Sequence, residues 1–377
     1  MARLTRAETQ ERNRAGVLAA AREEFAEHGF RDAKIDVIAE RAELTRGAVY
    51  SNFPGKRALY FAVLAENAER APVPPSTEPG RTAREALGAF ARALVTRLPL
   101  ATDEQYGAAR LGVDLMPEVV ADERIRRPFA QLMKLDAVLL GLALERLDPP
   151  RDPRGRMVRV AEAALTTLHG ASQLAAAAPE FVEPFDVISV CEQLADLDLG
   201  DRWPPRPMAP DARFVDEPWS PPSCVDLLRG ETVHPTGDGV VAVLGLHRLA
   251  AVEEAVRAAP PGSEVTAVLV TNDPHELMPL TRLMIADLRN GLRRAFPPSA
   301  LPRLHVVCDG AGLLAAAAGA HAVSDATETA VRVKAGRIVV RAEGFGACHT
   351  AATADPTTAR AAEPAAPHRT RNADSAP

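Results

Sequence analysis

Three side chains in a short segment of the chain are suited to contacts with nucleic acid: Arg46, Tyr50 and Lys56. The Arg46 guanidinium has the planar fork of donors that pairs with guanine in a major groove. The Tyr50 phenol can donate to a phosphate oxygen, and Lys56 stands at a predicted helix start, where amide donors and the helix dipole favour an anion. Residues 41 to 57 hold four basic residues against one acid, Glu43, although the whole chain has a net charge of -6. The segment therefore predicts a local interface for double-stranded DNA.

Short helices must position these side chains. Thr5 and Glu8 have the spacing of a capping box at the start of a first helix, and Gly29 is suited to ending it. A second helix, IDVIAERA, is followed by the turn Glu43-Leu44, and Thr45 caps a third helix, TRGAVYSNF, which ends at Pro54-Gly55. The apolar positions predicted to hold the two short helices together are Ile35, Ile38, Ala39, Leu44, Val49 and Phe53. This packing would leave the outer face of the third helix free to enter a major groove.

From Gly29 to Tyr60 the pattern GF-x₇-IAERA-x-LTRGAVYSNFPGKRALY resembles the TetR family of transcriptional regulators. The resemblance implies DNA-phosphate contacts by Thr45, Tyr50 and Lys56, and it places Arg46, Gly47, Ser51 and Asn52 along the groove-facing side. Two positions depart from the family pattern. Glu43 replaces the usual turn glycine, which costs strain if its backbone is left-handed. Ala33-Lys34 replaces the usual threonine at the start of the second helix, so its phosphate contact is either lost or supplied by Lys34.

Residues 82 to 197 show apolar residues at helical spacing and predict four to six helices. The expected breaks are at Pro99, Pro117, Pro128, Pro149 to Pro153 and Pro179. By position, the resemblance implies a regulatory domain that binds an unknown small-molecule effector and forms a homodimer. In the family the last two helices, here about 154–178 and 183–197, pair across the dimer axis. The small residues that would allow close approach there are Gly170, Ala171, Ala175 and Ala176.

Few side chains in this helical region are candidates for an effector pocket. They are Phe90, Tyr106, Phe129, Met133 and His169. For each of them ordinary core packing is the alternative that the sequence favours, because large apolar residues on amphipathic helices usually belong to the core.

From Val240 onward short β-rich runs alternate with helices, and residues 331 to 344 predict a hairpin around Ala335-Gly336. The run from Val306 to Gly344 resembles the last half of a thioredoxin-like or peroxiredoxin-like domain. Where such a domain would carry its redox cysteine, after the first strand, this chain has Gly-Leu-His-Arg at 245–248. Cys308, at the end of a buried strand, is expected to be inert, and Cys348 to be more exposed. The four cysteines have neither metal-binding nor disulfide spacing.

The fold class is therefore multidomain: an all-α TetR-like part followed by an α/β thioredoxin-like domain. The predicted boundaries are a helix-turn-helix domain at 1–70, an effector-binding and dimerisation domain at 80–200, a proline-rich linker at 201–223, the α/β domain at 224–350 and a disordered tail at 351–377. The charged N-terminus and the absence of long apolar runs predict a cytoplasmic protein without a membrane segment. No cofactor or metal is expected.

These observations predict a sequence-specific transcriptional regulator that is not an enzyme. We expect an effector-responsive repressor that acts as a homodimer on a near-palindromic operator. The alternative is a thiol oxidoreductase or redox sensor that uses the C-terminal domain.

Overall fold

The computed structural model describes residues 5–72, 78–98, 111–178, 180–203 and 209–354. Up to residue 203 the regular structure in these ranges is helical, as the apolar spacing predicted. The helices are α1 Arg6–Asp32, α2 Ile35–Arg41, α3 Arg46–Asn52, α4 Lys56–Glu69, α5 Ala83–Val95, α6 Leu115–Ala121, α7 Glu123–Leu147, α8 Val158–Ala177 and α9 Pro184–Leu194. Pro99, Tyr106 and Pro179 lie outside the described residues.

Two of the prolines expected to break helices lie inside them. Pro117 is in the first turn of α6, where its missing N–H would have had no partner within the helix. Pro128 is buried within α7, near the N-terminal end of a helix of 25 residues. The Asp122 side chain caps α7 by accepting from the Arg124 N–H at 2.9 Å. The predicted break at Pro128 is therefore wrong: one lost backbone hydrogen bond does not outweigh the packing of the long apolar face that follows it.

The rest of the described chain combines strands and helices; from residue 239 onward their order is the predicted one, whereas the strands at 213–218, 224–226 and 231–233 were not predicted. The elements are β1 Arg213–Pro218, β2 Cys224–Asp226, β3 Glu231–Val233, β4 Gly239–Gly245, α10 Val252–Ala258, β5 Glu264–Val270, α11 Pro274–Ala295, β6 Leu304–Cys308, α12 Leu313–Ala317, β7 Glu328–Lys334, β8 Arg337–Glu343 and α13 Ala347–Thr353. Six strands form a mixed sheet in the order β1-β8-β7-β4-β5-β6. Strands β4, β5 and β6 are parallel, whereas β7 is antiparallel to both β4 and β8. The predicted hairpin is present, and Ala335 and Gly336 have φ values of 50° and 69° at its turn.

The segment predicted as a proline-rich linker contributes a strand to this sheet. Residues 213–218 form β1, which pairs antiparallel with β8 at one edge. The sequence missed this strand because Pro218 and the neighbouring prolines suggest irregular chain, but proline is tolerated at a sheet edge. At the other end of the chain, residues 351–353 complete α13, so the predicted tail begins inside a helix. Residues 355–377 lie outside the described part.

The α/β part packs directly against the helical part through α11. One cluster of buried apolar residues runs from Val17 to Ala352 and includes α4, α5 and α7 together with α11. Polar contacts follow the same junction: the Arg282 guanidinium donates to the Glu69 carboxylate at 2.8 Å, and the Asn290 amide donates to the Ala68 carbonyl at 2.8 Å. The sequence predicted separate domains joined by a spacer, whereas the structure shows a shared core.

Within the described residues, no helix has the length and apolar character needed to cross a membrane.

Candidate nucleic-acid interface

The helix pair α2–α3 has the predicted caps and the predicted strained turn. Thr5 and Glu8 form the capping box of α1, and Gly29 adopts a φ of 72° where the regular part of α1 ends. The Thr45 side chain accepts from the Ala48 N–H at 3.2 Å and so caps α3. In the turn before it, Glu43 has a φ of 56°, a conformation that glycine adopts without a steric cost. The local signals in the sequence therefore define this motif.

The third helix has a buried side and an exposed side. Val49 and Phe53 are buried against the other helices of the motif. On the opposite side, residues at helical spacing are exposed: Arg46, Gly47, Tyr50 and Ser51. A Cβ added at Gly47 would have only the Thr45 hydroxyl within 4 Å, so the surface around it is open. This exposed face is free to meet a groove.

Two of the predicted groove residues bind back to their own helix. The Ser51 hydroxyl donates to the Ala48 carbonyl at 2.8 Å, and the Asn52 amide donates to the same carbonyl at 2.9 Å. Asn52 is partly buried, whereas Ser51 is exposed. In this conformation Arg46 and Tyr50 are the larger groups on the open face, and the Arg46 guanidinium lies 5.6 Å from the centre of the Tyr50 ring.

Three of the four basic side chains counted in the sequence are paired with acids. The Arg46 guanidinium lies 3.3 Å from the Asp36 carboxylate, and Arg41 lies 2.5 Å from Glu27. Arg57 contacts Asp122, at 2.8 Å, as well as Glu276 of the α/β part. The net positive charge around α3 is therefore smaller than the count over residues 41–57 suggested, because the acids that pair with these arginines lie outside that segment of the sequence.

The two lysines of the predicted interface differ in their surroundings. The Lys56 ammonium donates to the Arg31 carbonyl at 2.9 Å and lies 4.8 Å from the centre of the Phe30 ring. Partial burial lowers the pKa of Lys56. Lys34 is exposed, and its backbone N–H donates to the buried Glu24 carboxylate at 3.1 Å. Lys34 therefore presents its charge to solvent at the start of α2.

Glu24, Glu27 and His28 are the one group among the described residues with the proximity needed to hold a metal ion. The Arg41 guanidinium already contacts two of them, at 3.3 Å from Glu24 and 2.5 Å from Glu27. A cation in the same place would have to displace Arg41. The two carboxylates are therefore already balanced by the Arg41 guanidinium, and the group is an ion-pair cluster.

Of the candidate effector residues that the structure describes, one is buried in the core and three are partly buried. Phe90 is buried against α11, because a Cβ built on Gly291 would lie 2.9 Å from the Cδ2 atom of its ring. Phe129 and Met133 are partly buried on α7. The His169 Nδ1 is 2.9 Å from the Leu165 carbonyl one turn earlier in α8. Tyr106 lies outside the described residues.

Sequence reasoning missed a buried acid beside these side chains. Asp136 is 3% exposed, and its Oδ1 has no hydrogen-bond partner within the described ranges. Burial, and secondarily the charge of Asp287 on α11, raises the pKa of Asp136 well above its usual range. The signal was available, since Asp136 interrupts an otherwise apolar stretch of α7 at positions 135–144.

The helices predicted to pair across a dimer axis present large apolar side chains outward. Leu174, Phe185 and Val190 on these helices are substantially exposed, and so is Phe181 in the connection between α8 and α9. Of the small residues singled out in the sequence, Gly170 and Ala176 are exposed, whereas Ala171 and Ala175 are buried within the same chain. The exposed apolar surface of α8 and α9 therefore consists of large side chains, whereas the sequence predicted a contact made by small residues.

The cysteines have the properties of protected thiols. Burial raises the pKa of Cys308 to about 12 and that of Cys191 to about 11, and it also raises the pKa of Cys224. Cys348, expected to be exposed, is buried in α13. A nucleophilic thiol requires the opposite shift, because the thiolate is the reactive form. At the end of β4, where a redox cysteine would stand, Leu246 is buried and followed by His247.

A short helix pair joined by a tight turn, with one face of its second helix exposed, defines a helix-turn-helix DNA-binding domain. Residues 17–63 match the family described as "Bacterial regulatory proteins, tetR family". The N-terminal part of this chain is therefore a helix-turn-helix domain of the tetR family.

Two curated proteins are similar to a stretch of this chain. The HTH-type transcriptional regulator SrpR of Pseudomonas putida is 49% identical over 65 residues, which are 17% of this chain and 30% of the relative. The uncharacterized HTH-type transcriptional regulator TtgW, also of Pseudomonas putida, is 49% identical over 65 residues, which are 17% of this chain and 48% of that relative. The chain thus covers less than half the length of each relative.

Among solved structures, NalD, the secondary repressor of the MexAB-OprM multidrug efflux pump in Pseudomonas aeruginosa, is similar at 21% identity and a TM-score of 0.32. The match covers 50% of this chain and 96% of NalD.

Proposed function

We propose that this protein is a cytoplasmic transcriptional repressor that binds a near-palindromic DNA operator as a homodimer and releases it in response to an effector. The observation that supports the proposal best is the open face of α3, on which Arg46 and Tyr50 project beside Gly47. A face of this kind, backed by the buried Val49, presents base-reading and phosphate-binding groups together.

In the proposed complex, Arg46 contacts a base edge, and Gly47, Ser51 and Asn52 lie along the groove. Thr45, Tyr50 and Lys56 contact phosphates, and Lys34 supplies a further contact at the start of α2. A lysine ammonium has three donors, and Lys56 uses one of them on the Arg31 carbonyl, so two are available for a phosphate oxygen. To contact DNA, Arg46 must leave the exposed Asp36 carboxylate. Breaking this ion pair costs little free energy, because both side chains are exposed to water.

The homodimer is proposed to form through α8 and α9. Exposed apolar side chains on this surface include Phe181, at 73% exposure, and Phe185, at 76%. Contiguous exposed apolar groups favour burial against a partner, and a two-fold axis brings the same surface of a second copy onto them. Two-fold symmetry of the protein would then match the two halves of the operator.

The effector is proposed to be a small molecule that binds among the helices of residues 80–200, close to Phe90, Phe129, Met133 and His169; Tyr106, outside the described residues, is a candidate from the sequence alone. Its binding would favour a conformer in which the two α3 helices no longer fit the operator. Asp136 lies three residues after Met133 on α7, and its Oδ1, which has no hydrogen-bond partner among the described residues, is a polar atom that a ligand could satisfy.

For the α/β part we propose a thioredoxin-like module without redox activity. Its strand order β8-β7-β4-β5, with β7 antiparallel to β4, supports this assignment. Burial raises the pKa of Cys308 and of Cys224, the two partly buried thiols of this part, and this supports the absence of thiol chemistry. A thiol oxidoreductase or redox sensor remains the alternative, and a disulfide-reduction assay tests it directly.

The proposal is tested by selecting operator fragments with the purified full chain and measuring affinity by fluorescence anisotropy. Arg46→Ala should weaken operator binding about 10- to 100-fold and relax preference at one base pair in each half-site. Lys56→Ala should weaken binding to all sequences and lower the salt slope by about one. Arg92→Ala on α5, an exposed arginine outside the motif, is the matched control and should leave affinity unchanged. Binding insensitive to both changes in the motif would refute the docking scheme.

A further inference from the structure

A small cavity lies within the α/β part, between α11 and the chain segments around residues 228 and 301. Its lining combines arginines with apolar side chains: Leu228, Arg229, Arg289, Leu292, Arg293, Leu301 and Pro302. The volume is about 10 Å³, which is room for one water-sized group. The cavity therefore has space for the tip of a ligand rather than for a whole metabolite.

Two of these arginines have no carboxylate within ion-pair distance among the described residues, although the charge of Glu69 acts favourably on Arg289 from further away. Arg229 is satisfied, since it contacts the Asp226 carboxylate at 2.9 Å and the carbonyls of Leu304 and Pro302. Arg289 and Arg293 form no ion pair with any acid in the described part of the chain. They lie close together, because a Cβ built on Gly230 would be 3.4 Å from Arg289 Nη1 and 3.5 Å from Arg293 Nη2.

The Arg289 guanidinium is also incompletely hydrogen-bonded. The residue is only 9% exposed, yet its Nε is buried with no acceptor among the residues described. Its two terminal nitrogens reach the Leu227 and Glu69 carbonyls at 3.4 and 3.3 Å, which are long contacts. Burial, and secondarily the charge of Arg293, lowers the pKa of Arg289. A buried donor and two adjacent like charges are costly unless an acceptor joins them.

We propose that this cavity is a binding site for a small oxyanion, either inorganic phosphate or the carboxylate or phosphate group of a metabolite. Guanidinium groups present donors in the fork geometry that such oxyanions accept. Arg289 and Arg293 hold the oxygen atoms, and Leu292 and Leu301 contact any apolar body attached to the anion. Since Arg289 also reaches the Glu69 carbonyl, an occupied site fixes the end of α4 against α11.

The site is tested on the full chain without DNA, by thermal unfolding and calorimetric titration at constant ionic strength. The probes are sodium phosphate, sodium sulfate and sodium benzoate, with sodium chloride as the reference. We expect a saturable rise in Tm with at least one oxyanion and matching heats of binding. Binding of phosphate but not of benzoate indicates that the ligand carries a phosphate group. Binding of benzoate but not of phosphate indicates an organic carboxylate. A rise that does not saturate, or that equals the chloride reference, overturns the proposal.

Three variants separate a built site from a general anion effect. Arg293→Gln, whose side chain is exposed and whose loss leaves the core intact, should weaken anion binding about tenfold or more. Arg294→Gln is the matched control, because this neighbour on α11 donates to the Pro72 carbonyl and does not line the cavity. Arg293→Lys, which keeps the charge without the fork, should give an intermediate affinity. Equal affinities in wild type and Arg293→Gln would show that the cavity is not the site.

Discussion

A single added methyl group tests the packing of the α/β part onto the helical part. Gly291 is buried in α11, and a Cβ at this position would lie 2.9 Å from the Cδ2 atom of Phe90 and closer still to its Cε2 atom. Phe90, on α5, is 1% exposed, so its ring has no open space into which it could turn. Gly291→Ala therefore forces either the ring or the helix to move.

Two opposing effects determine the expected change in stability. Replacing glycine by alanine inside a helix normally raises the free energy of unfolding by about 0.5–1 kcal/mol. Overpacking a closed core costs about 1–3 kcal/mol, and real Cβ atoms do not approach a ring carbon this closely. We expect Gly291→Ala to lower the free energy of unfolding by about 1–2 kcal/mol. Gly16→Ala in α1, where a Cβ would meet nothing within 4 Å, should instead raise it.

Urea unfolding followed by circular dichroism measures both changes. The double variant Phe90→Leu with Gly291→Ala completes a thermodynamic cycle, because the smaller side chain gives space to the new methyl group. The cost of Gly291→Ala should fall by at least about 1 kcal/mol in the Phe90→Leu background. If Gly291→Ala stabilises the protein as Gly16→Ala does, α11 does not pack against α5 and the shared core is refuted.

Three further changes have defined outcomes. Asp36→Asn removes the exposed carboxylate beside Arg46 and should raise DNA affinity a few-fold at low salt in anisotropy titrations, with the gain shrinking as salt increases; a loss of affinity would contradict the proposed role of Arg46. Glu43→Gly relieves the φ of 56° and should raise the free energy of unfolding by about 0.5–1 kcal/mol without changing DNA affinity; destabilisation would show that the Glu43 side chain matters more than its backbone. Burial raises the pKa of Asp136, so the stability that its protonation gives is complete below its unfolded pKa and is lost as pH rises through the folded value. Asp136→Asn should therefore be about 1–3 kcal/mol more stable than wild type at neutral pH in urea unfolding, and the difference should shrink in acid; a difference independent of pH would exclude titration as its cause.

The helix-turn-helix could be predicted because its determinants are local. The capping box of Thr5 and Glu8 spans one helical turn, and the Thr45 cap and the left-handed Glu43 are set within a few residues of one another. Strands β4 to β8 were predicted for a similar reason, since each is a short apolar run bounded by turn residues.

The features that could not be predicted depend on contacts between residues that are distant in the sequence. Arg57 was counted as part of a basic patch, but it pairs with Glu276, which lies 219 residues further along the chain. Residues 213–218 were taken for a linker because their pairing with β8 leaves no local periodicity in the sequence. The charge of Asp287 beside Asp136 is likewise invisible until α11 is placed against the helical part.

The position of α4 connects these findings to regulation. At its start, Arg57 pairs with Glu276 on α11, and near its end Glu69 accepts from Arg282, also on α11. The same helix begins with Lys56, whose ammonium is held against the Arg31 carbonyl of α1. A displacement of α11 must either break these paired contacts, leaving charges partly buried and unpaired, or carry α4 with it. Because α4 follows α3 after a turn of three residues at 53–55, a motion that carries α4 also changes the presentation of α3. In the proposed regulator, the α/β part would therefore influence DNA binding through this packed junction, without a signal that crosses the proline-rich segment.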